Sequence, residues 1–188
     1  PSLALAPLQS LSGARQRNAL SHWLSRFGRL PDTDHWRGWD SLRDAGAEGR
    51  PVWRLADGDL HRAAGRVWWL SGSWLQPVDG RLQWLDPQKP LHLPGNGQVS
   101  FPGPVPTGSL HIRYRQGGEI MHLAGRGHRD LKRLLNESGL PGFVRGRLPL
   151  LYQDDRLLAV ANLPALATNP QGGWPLQWLP PTSDQGLS

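Results

Sequence analysis

Between Gly125 and Leu135 the chain reads Gly-Arg-Gly-His-Arg-Asp-Leu-Lys-Arg-Leu-Leu. Arg126, His128, Arg129, Lys132 and Arg133 crowd a glycine-rich turn that is expected to run into a helix with Leu131, Leu134 and Leu135 on its inner side. N–H groups at a helix start attract anions, and the basic side chains around them spread positive potential over a surface instead of focusing it on one small ligand. Charge spread in this way suits a nucleic-acid backbone. Arg113, Arg115, Arg145 and Arg147 extend the same stretch, where the acidic residues are Glu119, Asp130 and Glu137. The ordinary alternative is a solvated surface whose ion pairs contribute ~0–1 kcal/mol each.

A second polar stripe lies near the start. Arg15, Asn18, His22 and Arg26 recur at helical spacing, opposite Leu20, Trp23, Leu24 and Phe27 at i, i+3, i+4 and i+7. The stripe is either a second contact surface for RNA or the polar face that any surface helix needs. Ten tryptophans against two tyrosines and three phenylalanines raise a third possibility, because an exposed ring stacks on a base at ~1–3 kcal/mol. Trp23, Trp36, Trp39, Trp53 and Trp69, however, occupy positions expected in a core. Trp68 and Trp69 are adjacent in an expected strand and must face opposite sides.

Residues able to make or break bonds are not arranged for it. Cysteine is absent, which removes disulfides, zinc knuckles and thiol catalysis. Gly125-Arg126-Gly127 lacks the Gly-Lys-Ser/Thr of a phosphate-binding loop. Gly72-Ser73 is followed by Trp74, not by a nucleophile elbow. Asp57-Gly58-Asp59 lacks the later ligands of a calcium loop. His122 and His128 are close to Glu119 in sequence, but a metal triad needs close ligand geometry. No catalytic residue, metal ligand or cofactor is therefore assigned in this chain.

The elements that must position these groups suggest an α+β protein of two parts. The 188 residues carry a net charge of +6 and a pI near 10.9, above the value of roughly 9 that marks basic nucleic-acid binders. Lys89 and Lys132 are the only lysines; the arginine bias suits phosphate contacts but also follows from a GC-rich genome. No apolar run approaches the ~20 residues of a membrane helix, and no signal peptide opens the chain. A soluble cytoplasmic protein without a membrane partner is expected. The chain opens at Pro1 and its one methionine is Met121, so a piece of a longer protein is expected.

Residues 1–85 read as helices followed by short strands. The first helix runs from Ser12 to Gly28, and the second starts near Asp32 or Thr33 with Trp36, Trp39 and Leu42 inward. Strands are expected at 53–55, 59–62 and 66–70. Residues 86–108 hold six prolines and four glycines and read as a linker. Residues 109–180 read as a small mixed sheet or partly open barrel with one helix, 129–138. In its first strand, Leu110, Ile112 and Tyr114 alternate with His111, Arg113 and Arg115 on a basic outer face. A hairpin about Gln153-Asp154-Asp155 and a last strand through Trp174, Leu176 and Trp178 follow. The tail, 181–188, is expected to be disordered.

Arg15-Gln16-Arg17-Asn18-Ala19-Leu20 with Trp23-Leu24 resembles the opening of the substrate-binding domain of the tRNA(Ile)-lysidine synthetase family. Leu60-His61-Arg62 and Val67-Trp68-Trp69-Leu70 resemble its later strands. Arg115-Gln116-Gly117-Gly118-Glu119 through Gly125-Arg126, His128, Leu131-Lys132 and Leu134-Leu135 is similar to the family's C-terminal domain. Gly139-Leu140-Pro141, Arg145, Arg147 and Leu148 to Tyr152 continue the likeness, which covers most of residues 11–161. Pro141-Gly142-Phe143 stands where the family has Pro-Pro-Trp, and Gly146 where it has an acidic residue. The resemblance implies the tRNA-binding part of a ligase that uses ATP and Mg to join lysine to the wobble cytidine of an isoleucine tRNA with a CAU anticodon. The catalytic N-terminal domain, with its Ser-Gly-Gly-x-Asp-Ser loop, is absent. It further implies tRNA(Ile) as partner, a grip on the tRNA body and acceptor stem, and a homodimer formed through the full-length protein. Other readings are a generic RNA-binding module or a dimerisation module with a tryptophan-rich face. A carbohydrate-binding module fits the basic charge poorly.

Overall fold

The computed structural model describes residues 1–32, 34–46, 49–123, 127–166, 168 and 174–182. Contacts group them into two units, Pro1–Gln76 and Pro77–Thr182, each with its own core.

In the first unit, β1 (Ser2–Ala4) and α1 (Leu5–Gln9) precede α2 (Gly13–Leu24), α3 (Arg37–Asp44), β2 (Val52–Arg54), β3 (Asp59–Ala63) and β4 (Arg66–Leu70). The strands form one antiparallel sheet in the order β1-β4-β3-β2. The β3–β4 turn places Ala64 and Gly65 at φ 50° and 69°, the left-handed pair that matches the twist of a two-residue hairpin. The expected order of helices then strands is thus incomplete, because the first residues return to the sheet edge and pair Ser2 with Trp68. Leu5, Leu8, Leu20, Leu24, Trp39 and Leu42 pack from the helices onto Trp53, Leu60, Val67 and Trp69. The expected second helix begins as a 3-10 turn at Asp34–Trp36; Thr33 lies outside the described residues.

The tryptophans serve this core. Trp23 meets Phe27 edge-on at 5.1 Å, Phe27 stacks on Trp69 at 6.1 Å, and Trp36 lies 5.5 Å from Trp53. Gly38 lets α3 approach, since a β-carbon there would lie 2.2 Å from the Trp53 ring. Two arginines of this unit are bound into the fold. Arg62 donates to the carbonyls of Leu42, Arg43 and Ala45 at 2.6–3.2 Å, placing its charge on the negative end of α3. Arg43 pairs with Asp40 and Asp44.

The second unit contains β5 (Arg81–Trp84), β6 (Leu91–His92), β7 (Gln98–Ser100), β8 (Leu110–Arg113), β9 (Ile120–Leu123), β10 (Gly127–Asp130), α4 (Leu131–Glu137), α5 (Gly142–Arg145), β11 (Leu150–Gln153), β12 (Arg156–Val160) and β13 (Gln177–Leu179). The expected mixed sheet or barrel is replaced by three antiparallel sheets, ordered β12-β11-β8-β5, β13-β7-β6 and β10-β9. The expected linker 86–108 instead carries β6 and β7, and the division falls at Gln76–Pro77. Its glycines shape a turn: Gly97 has φ 72°, and a β-carbon there would lie 2.0 Å from the Leu179 carbonyl oxygen. The hairpin around Asp154 and the buried Leu176 and Trp178 stand as expected. Of the expected disordered tail, 183–188 lie outside the described residues.

Asn96 in that turn has no exposed surface. Its amide donates to the Arg147 carbonyl at 2.9 Å and approaches the Tyr114 hydroxyl at 3.4 Å, while its Oδ1 accepts from Arg147 Nε at 3.1 Å. Its carbonyl accepts from the Trp178 indole at 2.8 Å. Arg147 also donates to the Gly95 carbonyl. A buried charge stripped of a bonding partner is costly. Asn96→Ala is expected to lower unfolding free energy by about 2–4 kcal/mol, measured by urea denaturation.

Candidate nucleic-acid interface

The cationic segment is built on a hairpin and a short helix. β10 pairs with β9, His128 opposite His122 and Arg129 opposite Met121. Met121 and Leu123 are buried, whereas all four residues of β10 are exposed. The expected helix 129–138 therefore starts later, at Leu131. The extended pairing with β9 holds Gly127 to Asp130 out of helical geometry. The Asp130 side chain accepts from the Arg133 backbone N–H at 2.9 Å and caps α4. That carboxylate takes one helix-start N–H and places a negative charge there, which disfavours an anion at this helix start.

The attraction must come from side chains. Leu131, Leu134 and Leu135 are buried, turning Lys132 and Arg133 outward. Arg133 pairs with Glu137 at 2.9 Å, with both side chains well exposed, an arrangement worth little in water. Arg129 and Lys132 take part in no ion pair among the described residues. A surface hollow of about 420 Å³ runs between Arg129, Asp130, Arg133 and Glu137. On α5, Arg145 donates to Asn136 of α4, which draws its guanidinium toward that helix. The structure thus gathers His128, Arg129, Lys132, Arg133 and Arg145; Arg126 lies outside the described residues.

The other cations expected here are placed differently. Arg147 is 5% exposed and bound to Asn96 and Gly95, with burial lowering its pKa. It supports the fold from inside. Arg113 lies 4.5 Å over the Tyr152 ring and pairs with Asp155 at 2.8 Å. Arg115 is half-buried beside Glu119 at 3.7 Å. Glu119 also accepts the backbone N–H groups of Gln116 and Gly117, which turns it toward that loop. The rings of His122 and His128 meet at 3.4 Å, and no group of three or more metal-ligating side chains occurs among the described residues.

His111, expected on the basic outer face, is fully buried. β8 lies between β5 and β11, so both its edges are paired, and Tyr152 and Gln83 stand directly opposite His111 on the neighbouring strands. The imidazole stacks on Tyr152 at 5.6 Å and approaches Arg81 at 3.4 Å. Burial lowers its pKa, and the charges of Arg81 and Arg113 lower it further. Arg81 escaped the sequence reading because the pairing that sets it opposite Arg113 joins residues far apart in the chain. Asp155 faces both: its pKa is lowered by the Arg113 hydrogen bond, by that charge and by Arg81.

In the first unit, Arg15, Asn18, His22 and Arg26 are all exposed along α2 and just past its end, opposite the buried Leu20 and Leu24. They engage in no ion pair among the described residues.

Comparison with known proteins gives two family matches, to a TilS substrate binding domain over residues 3–68 and a TilS substrate C-terminal domain over residues 110–178. A tRNA(Ile)-lysidine synthase of Pseudomonas fluorescens is 64% identical over 187 residues, covering 100% of this chain and 42% of the relative. The Pseudomonas aeruginosa protein of the same name is 58% identical over 188 residues, with the same coverage. That of Salmonella choleraesuis is 33% identical over 171 residues, 86% of this chain and 39% of the relative. The chain therefore spans about two fifths of these relatives.

Neutral His111 sets a pH dependence. Its depressed folded-state pKa gives a stabilising contribution that is complete above the unfolded value of about 6.5 and is lost as pH falls through the folded value. His61, lowered mainly by burial, acts in the same direction. His111→Phe keeps a ring on Tyr152 and removes a buried Nε2 that has no hydrogen-bond partner. Denaturation curves of this variant between pH 7.5 and 5 are expected to show a shallower loss than wild type; an equally steep loss would exclude His111 as a source.

Proposed function

Because this chain belongs to the tRNA(Ile)-lysidine synthase family, of which it carries the two substrate domains of the C-terminal part, we propose that it grips the tRNA for that ligase. The whole protein would use ATP and Mg in an N-terminal domain to join lysine to the wobble cytidine of tRNA(Ile) with a CAU anticodon. These domains would hold the tRNA body and acceptor stem. Such a substrate places the work in the cytoplasm. No described helix is long and apolar enough to cross a membrane. Homodimerisation, if the full-length protein undergoes it, would present two such grips.

The observation that carries this reading is the outward cationic set His128, Arg129, Lys132 and Arg133, with Arg145 half-buried beside Asn136, on the unit matched to the substrate C-terminal domain. A-form RNA hides its major groove and offers phosphates and 2′-hydroxyls. Long cationic side chains without rigid amide donors suit that target, and they fix register more than they read bases. Arg113 and Arg115 add half-buried charge at the end of β8, and Arg15, Asn18 and His22 offer a second contact along α2.

Binding of tRNA(Ile)(CAU) across a salt series tests this, with methionine tRNA as competitor. Arg129→Glu/Lys132→Glu/Arg133→Glu is expected to weaken binding at least tenfold and flatten the log–log salt slope by about 2–3, near one unit per lost phosphate contact. Unchanged affinity would sink the assignment of this surface. Equal affinity for both tRNAs would favour a generic RNA grip, and no binding at low salt would favour a dimerisation role.

A further inference from the structure

The loop leaving α2 and the end of β2 enclose a hollow of about 360 Å³ in the first unit. Its lining combines apolar Leu30, Pro31 and Leu55 with the cations Arg29 and Arg54 and the pair Asp32 and His35. This volume lies at the small end of the range of roughly 300–1,000 Å³ for ligand sites, the size class of a single nucleotide.

The walls are pinned. The Arg29 backbone N–H donates to Asp57 Oδ2 at 2.7 Å, and a β-carbon at Gly28 would lie 2.5 Å from that same oxygen. Leu55 is held by a 2.9 Å bond to the Gly58 carbonyl. His35 Nδ1 bonds Asp32 Oδ1 and donation also comes from the His35 backbone, orienting the carboxylate. By contrast, neither guanidinium is in an ion pair among the described residues. Leu30 is 44% exposed, a large apolar side chain left uncovered in a hollow that also holds two cations.

We propose that this hollow takes one nucleotide of the RNA, splayed out of its stack. The base lies on Leu30, Pro31 and Leu55, Arg29 and Arg54 bracket its phosphate, and Asp32 accepts from an amino group on the base edge. Single-stranded RNA is commonly read in this way, through unstacked bases and their edges. The site rests on the tRNA reading and adds to it a point of base recognition, separate from the backbone contacts of β10 and α4.

The whole chain is titrated with a tRNA(Ile) transcript by fluorescence anisotropy from 50 to 200 mM salt. Arg29→Glu/Arg54→Glu is expected to lower affinity at least tenfold and reduce the log–log salt slope by about 0.7, the value for one single-strand phosphate. Leu30→Ser is expected to lower affinity several-fold with the slope unchanged. Both variants alter exposed side chains, and thermal melts are expected to match wild type. If wild type binds and both variants bind equally well with the same slope, the hollow is not an RNA contact while the tRNA reading stands. If wild type does not bind at low salt, that reading fails and this site with it. Saturable binding of cytidine 5′-monophosphate by wild type, with tRNA affinity intact in the double variant, would make this a free-nucleotide site and overturn the proposal.

Discussion

The side-chain amide of Asn96, with its own backbone carbonyl, joins four stretches of the second unit that are far apart in the chain. It meets the β6–β7 turn, Tyr114 beyond β8, Arg147 beyond α5 and Trp178 on β13. Asn162 reinforces the last of these, exchanging two 2.8 Å bonds with the Trp178 backbone. In a low-dielectric interior such bonds are strong when all are made and costly when one is missing. Arg147 could not be buried without them, and β13 would lose the partner that anchors its indole. The junction ties the sheet β13-β7-β6 to the chain that leaves β8 of the sheet β12-β11-β8-β5.

The same accounting of hydrogen-bond donors separates the cations of the whole chain. Arg62 is taken up by helix carbonyls, Arg43 by two carboxylates, Arg147 by an amide and a carbonyl, and Arg113 by Asp155 and a tyrosine ring. These residues carry charge without offering much of it to a partner. Among the described residues Arg129 reaches the carbonyl of its neighbour His128 at 3.5 Å, neither it nor Lys132 is in an ion pair, and the α2 stripe is likewise turned to solvent. A net charge of +6 therefore understates how unevenly the available charge is distributed.

Local pattern was readable where local physics decides. The 3.6-residue spacing of Leu20 and Leu24 placed α2, and the adjacent pair Trp68 and Trp69 does divide between two faces, with Trp69 in the core. α4 starts later than its leucine spacing suggests because β10 pairs with β9, and Asp130, a favoured capping type, marks that start in the sequence. Other features leave no local signal. His111 is buried between cross-strand neighbours, Tyr152 on β11 and Gln83 on β5, that are about 30–40 positions away in the chain. Arg147 is buried because of an asparagine 51 positions earlier. The region 86–108 looked like a linker because proline and glycine mark tight turns as readily as loose chain, and only the contact of Gly97 with Leu179 distinguishes the two. The cationic interface was legible as composition; which arginines reach solvent was not.

Among the described residues β10 pairs with β9 alone, and all four of its residues are exposed. An open edge invites a strand from another molecule to add to the sheet, the first step of aggregation. The left-handed Gly127 and the run His128-Arg129-Asp130 make that edge short and charged. A second copy approaching in register would bring like charges together. The side chains whose charge suits a polyanion are thus of the kind that discourages a strand from adding at a sheet edge.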